Sequence, residues 1–214
     1  MTKKTMFLTL AALLSLAPHV FAEASIYSFE GKASVRRENT VYQADYDMPC
    51  QPNDIIRSDK DGYVDITMKS FVGTRMIGST ECQLAQINTS NRLLKLNYGT
   101  LMVNLKPLSA DGSYKIETPT IIVSVEGAQF TSEPKNYLFL VDYIQPKEGK
   151  PYNIVMSRQG TVNVFVKESH TGLTVIEGRM VRVEEDAFAP TARNASDEEM
   201  ERLAKSNSIY ITED

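Results

Sequence analysis

Between Tyr114 and Phe130 the chain reads YKIETPTIIVSVEGAQF, and its apolar residues alternate with a phase that changes twice. Tyr114, Ile116 and Thr118 point one way. After Pro119 the inward set is Ile121, Val123 and Val125, and after Gly127 it is Ala128 and Phe130. Side chains of a strand have a period of two, so each one-residue change of phase requires a bend or bulge. Pro119 fixes φ and donates no ladder bond, and Gly127 has no Cβ to obstruct an unusual backbone. The pattern predicts three short strands joined at two corners.

The same grammar runs along most of the chain. Ala33 and Val35 alternate with polar residues after Gly31, as do Val64, Ile66 and Met68 after Gly62. Leu94, Leu96 and Tyr98 share a face up to Gly99, after which Leu101, Val103 and Leu105 take over. Val162, Val164 and Val166 follow Gly160, and Val181 and Val183 follow Gly178. Short β-branched runs punctuated by Gly, Asn, Asp and Pro predict an all-β domain, and the lack of interleaved helical periodicity excludes a parallel βαβ design. No exact repeat is present. The expected architecture is β-solenoid-like, with the repeated corners in its favour, or an irregular sandwich of short strands with glycine and proline corners.

Two segments break the pattern. Leu138–Val141 is apolar on both faces, as in a strand covered on both sides. The polar stretch Gln145–Tyr152 that follows is read as a long hairpin tip, with a partner-binding loop as the sharper alternative for Lys147, Glu148 and Lys150. Near the end, Ser196 and Glu199 have the spacing of a capping box. Met200, Leu203 and Ala204 form one narrow apolar stripe. A helix this short is marginal alone, so its stripe is expected to dock on the β domain, or else Met200 and Leu203 meet a partner.

At the other end, Lys3 and Lys4, the apolar run Met6–Leu16 and Val20-Phe21-Ala22 have the layout of a secretory signal peptide cut after Ala22 or two residues later. The expected organisation is a signal peptide over 1–22, a β domain over 23–186, and a linker with a short amphipathic helix over 187–214. Loss of Lys3 and Lys4 would take the formal charge from -4 to -6. Charges of both signs are scattered, which gives no footprint for nucleic acid. No further apolar stretch is long enough to span a bilayer. The mature product is expected to be periplasmic or secreted.

The remaining inventory mostly excludes chemistry. Without His19, His170 is the only histidine, and it lies in the turn-like Glu168-Ser-His-Thr-Gly172. One His and two Cys cannot build the usual zinc sites, and neither a Gly-x-Ser-x-Gly elbow nor a glycine-rich phosphate loop is present. No cofactor is expected. Carboxylate chemistry is the harder case, because two acids suffice for glycan hydrolysis. Asp65, Glu117, Glu126, Asp142 and Glu177 lie in or beside predicted strands; the first three point away from the core, and Asp142 is conspicuous in an apolar strand. Structural or solvated roles are the expectation for all five. Ten Tyr could stack on sugars, though no Trp is present. Cys50 and Cys82, an even pair in an exported chain, are expected to form a disulfide.

Several segments together resemble the FecR-like periplasmic domain family. Gly31-Lys-Ala-Ser-Val-Arg-Arg is similar to that family's opening Gly-x-Val-x-Val-x-Arg, Asn53-Asp-Ile-Ile-Arg-Ser to its Gly-Asp-x-Ile-x-Thr turn, and Val72-Gly-Thr-Arg-Met to its Asp-Gly-Thr-x-Leu strand. Leu96–Val103 is similar to its Leu-x-x-Gly-x-Val strand pair, and Gly178–Val183 to its closing Gly-Gln-x-Val-x-Val. Glu117–Phe130 matches Thr-Pro-x-Ala-x-Val-x-Val-x-Gly-Thr-x-Phe best, with Ala128 in place of Thr. The resemblance implies a β-solenoid-like domain without catalytic residues. In the founding members it is the periplasmic part of a regulator between an outer-membrane receptor and a sigma factor. No cytoplasmic segment or transmembrane helix like those of the regulators is expected in this sequence. The function expected is therefore that of a stand-alone exported domain that binds a protein or cell-envelope component, in envelope signalling or assembly. The alternative is a glycan-binding or glycan-cleaving β protein.

Overall fold

The computed structural model describes residues 23–69, 72–127, 136–185 and 190–205. The expected signal peptide lies outside the described residues, as does the strand expected at Ala128 and Phe130. Among the described residues, sixteen strands form one mixed sheet, followed by one helix. The first six are β1 (Ala24–Glu30), β2 (Ala33–Arg37), β3 (Thr40–Gln43), β4 (Met48–Cys50), β5 (Ile55–Ser58) and β6 (Tyr63–Met68). The centre is a long hairpin of β7 (Val72–Ile87) and β8 (Asn91–Leu105). Then come β9 (Ser113–Glu117), β10 (Ile121–Glu126), β11 (Tyr137–Ile144) and β12 (Tyr152–Gln159). The last are β13 (Val162–Val166), β14 (Thr171–Val175), β15 (Arg179–Glu184), β16 (Arg193–Asn194) and the helix α1 (Asp197–Lys205).

The β7–β8 hairpin splits the sheet into wings. Residues 72–77 of β7 pair with β6, and residues 80–83 pair with β5. On the other side, residues 91–95 of β8 pair with β9, and residues 99–105 pair with β11. The split falls where the register of the hairpin slips between Ile77 and Cys82. Gly99 sits opposite this slip with φ +94°, and a Cβ there would run into Thr80 Oγ1 and the Ser79 carbonyl. The bulge is thus the corner expected at Gly99, and it moves the inward set from Leu94 and Leu96 to Leu101, Val103 and Leu105. Apart from the parallel β8–β9 pair, the described strands pair antiparallel, about half of the pairs being hairpins such as β2–β3, β9–β10, β11–β12 and β13–β14.

The wings close on one another over a single core drawn from all of them, including Ile26, Ile56, Met76, Tyr114, Val123, Phe139, Val155 and Val181. Polar ties cross that core. Thr74 of β7 bonds Tyr114 of β9, and Asn153 Nδ2 of β12 donates to Thr120 Oγ1 at 2.5 Å. Pro119 lies in the tight turn between β9 and β10, where Thr118 N donates to the Ile121 carbonyl and Thr118 Oγ1 accepts from Ile121 N. Thr118, Ile121, Val123 and Val125 are buried, in the phase that the alternation predicts.

A second, smaller cluster covers the outer face of β11. Met102, Leu138, Leu140, Met156 and Met180 meet Leu203 of α1, with Met200 packed at its edge. Hence β11 is buried on both faces, as its unbroken apolar run requires. The capping box forms as expected: Glu199 N donates to Ser196 Oγ at 3.2 Å, and Ser196 N to Glu199 Oε2 at 2.7 Å. Among the described residues no helix is long and apolar enough to cross a membrane.

Candidate partner-binding surface

The β2–β3 hairpin turns through Glu38 and Asn39, with Glu38 at φ +53°. Its inner strand is anchored. Val35 is fully buried, and β2 continues into the sheet through β5. The outer strand is not: all four residues of β3 are exposed, and β3 pairs only with β2 among the described residues. Its N–H and C=O groups on that side form an open sheet edge. Val41 is 64% exposed and Tyr42 43%, and Tyr46, just beyond the strand, is 61% exposed and stacks on Phe29 at 5.0 Å.

Arg37 fixes this hairpin to the turn between β4 and β5. Its Nε and Nη2 donate to the two carboxylate oxygens of Asp54 at 2.9 and 2.8 Å, and Nη2 donates to the Pro49 carbonyl at 3.0 Å. Asp54 also accepts from Gln51 N. This hydrogen bonding raises the Arg37 pKa above its ordinary value against the opposing effect of burial. The guanidinium also lies 5.8 Å from the centre of the Tyr42 ring. An exposed aromatic edge is therefore held on a rigid, charge-paired base. The sequence signal for it was faint: Tyr42 and Val41 sit in a short polar segment too brief to show alternation.

The residues singled out in the sequence are dispersed. Lys147, Glu148 and Lys150 are exposed at the tip of the β11–β12 hairpin, where Gly149 takes φ +96°. The stretch forms the tip of the β11–β12 hairpin, as the polar composition predicts. Met200 and Leu203 are used within the molecule, and Leu203 is fully buried, so the stripe docks on the β domain as expected, and the alternative of a partner at Leu203 does not hold. His170 is an exposed turn residue at φ +55° whose Nδ1 lies 3.0 Å from the Glu168 carbonyl.

Cys50 and Cys82 are both free and buried, so the expected disulfide is not formed. They occupy different surroundings. Cys50 ends β4 opposite Ala24, near Arg37 and Asp54, whereas Cys82 lies opposite Ile56 and Leu96, near Tyr114. Each fills a core position as a small apolar side chain. Burial pushes the Cys50 thiol up to about 12, with Asp54 adding to the effect; burial also raises Cys82, helped by Glu81. Gly127 is a second correction of reason. Its φ is not in the left-handed region; instead the Ser109 carbonyl lies where its Cβ would be.

The five carboxylates occupy dispersed structural or solvated positions. Asp65 does point away from the core, but it is buried rather than solvated. Its oxygens accept from Arg75 Nε and Nη2, both at 2.7 Å, and from Ser28 Oγ at 2.7 Å, while Arg75 also lies over the Tyr63 ring. Glu117 pairs with Lys167 at 2.6 Å and Glu126 with Lys115 at 3.7 Å. Asp142 is buried and accepts from Thr100 Oγ1 at 2.9 Å, and Glu177 is exposed in a turn.

No family model matches the chain, and no curated protein matches it. Two crystal structures of a "putative anti-sigma factor" from Parabacteroides distasonis ATCC 8503 share its fold, with TM-scores of 0.55 and 0.54 at 14% identity. Each match covers 70% of this chain, and 63% and 64% of the Parabacteroides chains. The chain thus matches less than two thirds of their length.

Proposed function

We propose that the protein is a non-catalytic, exported FecR-like β domain that engages a protein partner in cell-envelope signalling, and that the partner docks along the open edge of β3. One observation carries the reading: a rigidly anchored hairpin presents an unpaired strand edge with Val41, Tyr42 and Tyr46 exposed beside it. An edge of this kind accepts an extended segment of another protein through main-chain hydrogen bonds, and aromatic side chains supply contact area at low entropic cost. The shared fold with a protein described as an anti-sigma factor supports a regulatory role over an enzymatic one. So does the commitment of Asp65, Glu117 and Glu126 to ion pairs.

Photo-cross-linking residues placed at Val41, Gln43 and Lys147 test the reading in cells. A single protein adduct at Val41 and Gln43, lost on Tyr42→Asp, is the expected result. Adducts at Lys147 alone would move the interface to the β11–β12 tip, and turnover of an envelope glycan abolished by Asp142→Asn would replace the reading with an enzymatic one.

A further inference from the structure

Among the described residues, Arg92 is a buried arginine with no ion-pair partner. It follows Asn91 at the start of β8, in the inward phase of Leu94 and Leu96, and is 3% exposed. Its Nε has no hydrogen-bond partner, and Arg92 forms no ion pair among the described residues. A buried cation left this way is costly unless something else supplies the counter-charge. Burial accordingly lowers its pKa from the ordinary arginine value, with Tyr114 and Glu23 acting weakly in the other direction.

The side chain lines a cleft of about 180 Å³ together with Thr89, Ser90, Pro107, Leu108 and Ser109. Both rims are pinned. Asn91 N donates to Asn88 Oδ1 at 2.6 Å and Ser113 N to the Ser90 carbonyl at 2.8 Å, which fixes the β7–β8 turn. Gly112 N donates to the Ser109 carbonyl at 2.7 Å, and Gly127 abuts that carbonyl from behind, which fixes the segment after β8. Ser90 and Ser109 have hydroxyls with no partner among the described residues. Thr89 Oγ1 donates to Glu23, whose carboxylate is neutralised by Lys69 at 2.5 Å.

We propose that this cleft is a binding site for a small monocarboxylate with an apolar body: the carboxylate on Arg92, assisted by Ser90 and Ser109, and the apolar part against Pro107 and Leu108. The guanidinium fork matches a carboxylate in a bidentate geometry. One net cation balances one negative charge, whereas a phosphate dianion would be left with one charge in excess. The cleft volume suits a group of a few carbons rather than a drug-sized ligand. A free branched-chain acid and the C-terminal carboxylate of a peptide ending in an apolar residue offer the same chemistry. The proposal does not depend on the docking of a partner at β3.

Thermal unfolding of the full mature chain with isovalerate, isovaleramide, inorganic phosphate, and the tripeptide Ala-Ala-Leu with a free or amidated C-terminus tests it. Binding of an acid should raise Tm by roughly 5–10 °C at about one hundred times Kd. Its amide should bind at least about tenfold more weakly. Stabilisation by isovalerate identifies a free acid, and stabilisation by the peptide acid alone identifies a chain terminus. Arg92→Met should remove the response while leaving the apo Tm unchanged or higher, since it removes an unpaired buried charge; Ser109→Ala, at the rim, should weaken binding in a protein of unaltered fold. The proposal is overturned if no acid stabilises the protein, if amides or phosphate do so equally well, or if Arg92→Met lowers Tm and leaves the acid response intact.

Discussion

Thr74 Oγ1 and Tyr114 Oη lie 2.8 Å apart inside the core, and their hydrogen bond ties β7 of the central hairpin to β9 across the core. Both residues are fully buried, and the Tyr114 ring meets Phe139 edge-on at 6.3 Å. Removing one hydroxyl leaves the other desolvated without a partner. Tyr114→Phe should therefore destabilise the protein by about 1–3 kcal/mol, and Thr74→Val by a similar amount. The double variant should cost less than the two single losses together, because it leaves no orphan group. Urea unfolding of the three variants checks this.

Burial sets the expected alkaline limit of stability. The Tyr114 hydroxyl is raised above its ordinary 10.0 by burial, although its bond to Thr74 opposes the shift. Cys50 is raised from 9.0 to about 12, also chiefly by burial. Groups whose pKa is higher in the folded chain keep their protons as the unfolded chain begins to release them. Their stabilisation is complete below about pH 9 and declines as pH climbs toward 12. Urea midpoints should fall steadily between about pH 9 and pH 11, and Cys50→Ala should shallow the decline.

The free thiols give a separate expectation. In the native protein, iodoacetamide at neutral pH should label neither Cys50 nor Cys82. Unfolding in denaturant without reductant should then add two labels by mass. Unfolded chains that take up no label until reduced would show that the thiols are paired in the exported protein.

Much of this fold was legible because it rests on local rules. The inward sets around Pro119 and Gly99, the double-sided burial of β11 and the Ser196–Glu199 capping box all follow from periodicity and turn chemistry within a few residues. What distant segments do to one another was not legible. Asp65 was correctly placed on the outer face, yet its burial depends on Arg75 of the neighbouring strand. Cys50 and Cys82 were paired by counting, which carries no information about which core position each one fills. Arg92 gave no sign in the sequence, because its burial is assembled from the β7–β8 turn and the segment beyond β8. The β3 edge escaped notice for a similar reason: a strand becomes an edge only through what fails to pair with it.

The Asp65–Arg75 pair should behave as a buried ion pair. Asp65→Ala leaves a guanidinium largely out of water and should cost about 3–5 kcal/mol. Replacing both partners by apolar residues of similar volume should restore most of that loss, because neither charge is then stranded. If Asp65→Asn proved neutral in urea, the pair would have no structural weight, and the carboxylate would need another explanation.

Gly127 separates two physical causes that predict different mutants. A left-handed φ would tolerate Asn far better than a β-branched residue. The Ser109 carbonyl, by contrast, occupies the place of any Cβ, so Gly127→Ala, Gly127→Asn and Gly127→Val should all be destabilising, by about 1–3 kcal/mol or more. The outward neighbour Glu126→Gln should stay within about 0.5 kcal/mol. A tolerated Asn with a damaging Val would restore the dihedral explanation.

Docking of α1 should be sensitive to acid. Glu199 accepts from Arg193 Nη2 at 2.6 Å and from Ser196 N at 2.7 Å, and these bonds, Arg193 first, hold its pKa down from 4.5 to about 2. A carboxylate depressed in the folded state contributes stability that is present above its unfolded pKa and lost as pH falls toward the folded value. The contribution is modest because the group is partly exposed to solvent. Its effect is nevertheless local: α1 has about two and a half turns, and among the described side chains Leu203 and Met200 hold it over Met102, Leu138 and Leu140. Amide exchange in residues 197–203 should therefore accelerate between about pH 4 and pH 2 before the β11 amides respond. Glu199→Gln should exchange quickly in that helix at every pH, with the core strands unchanged. Simultaneous loss of protection in α1 and β11 would instead mean that the helix opens only when the whole sheet does.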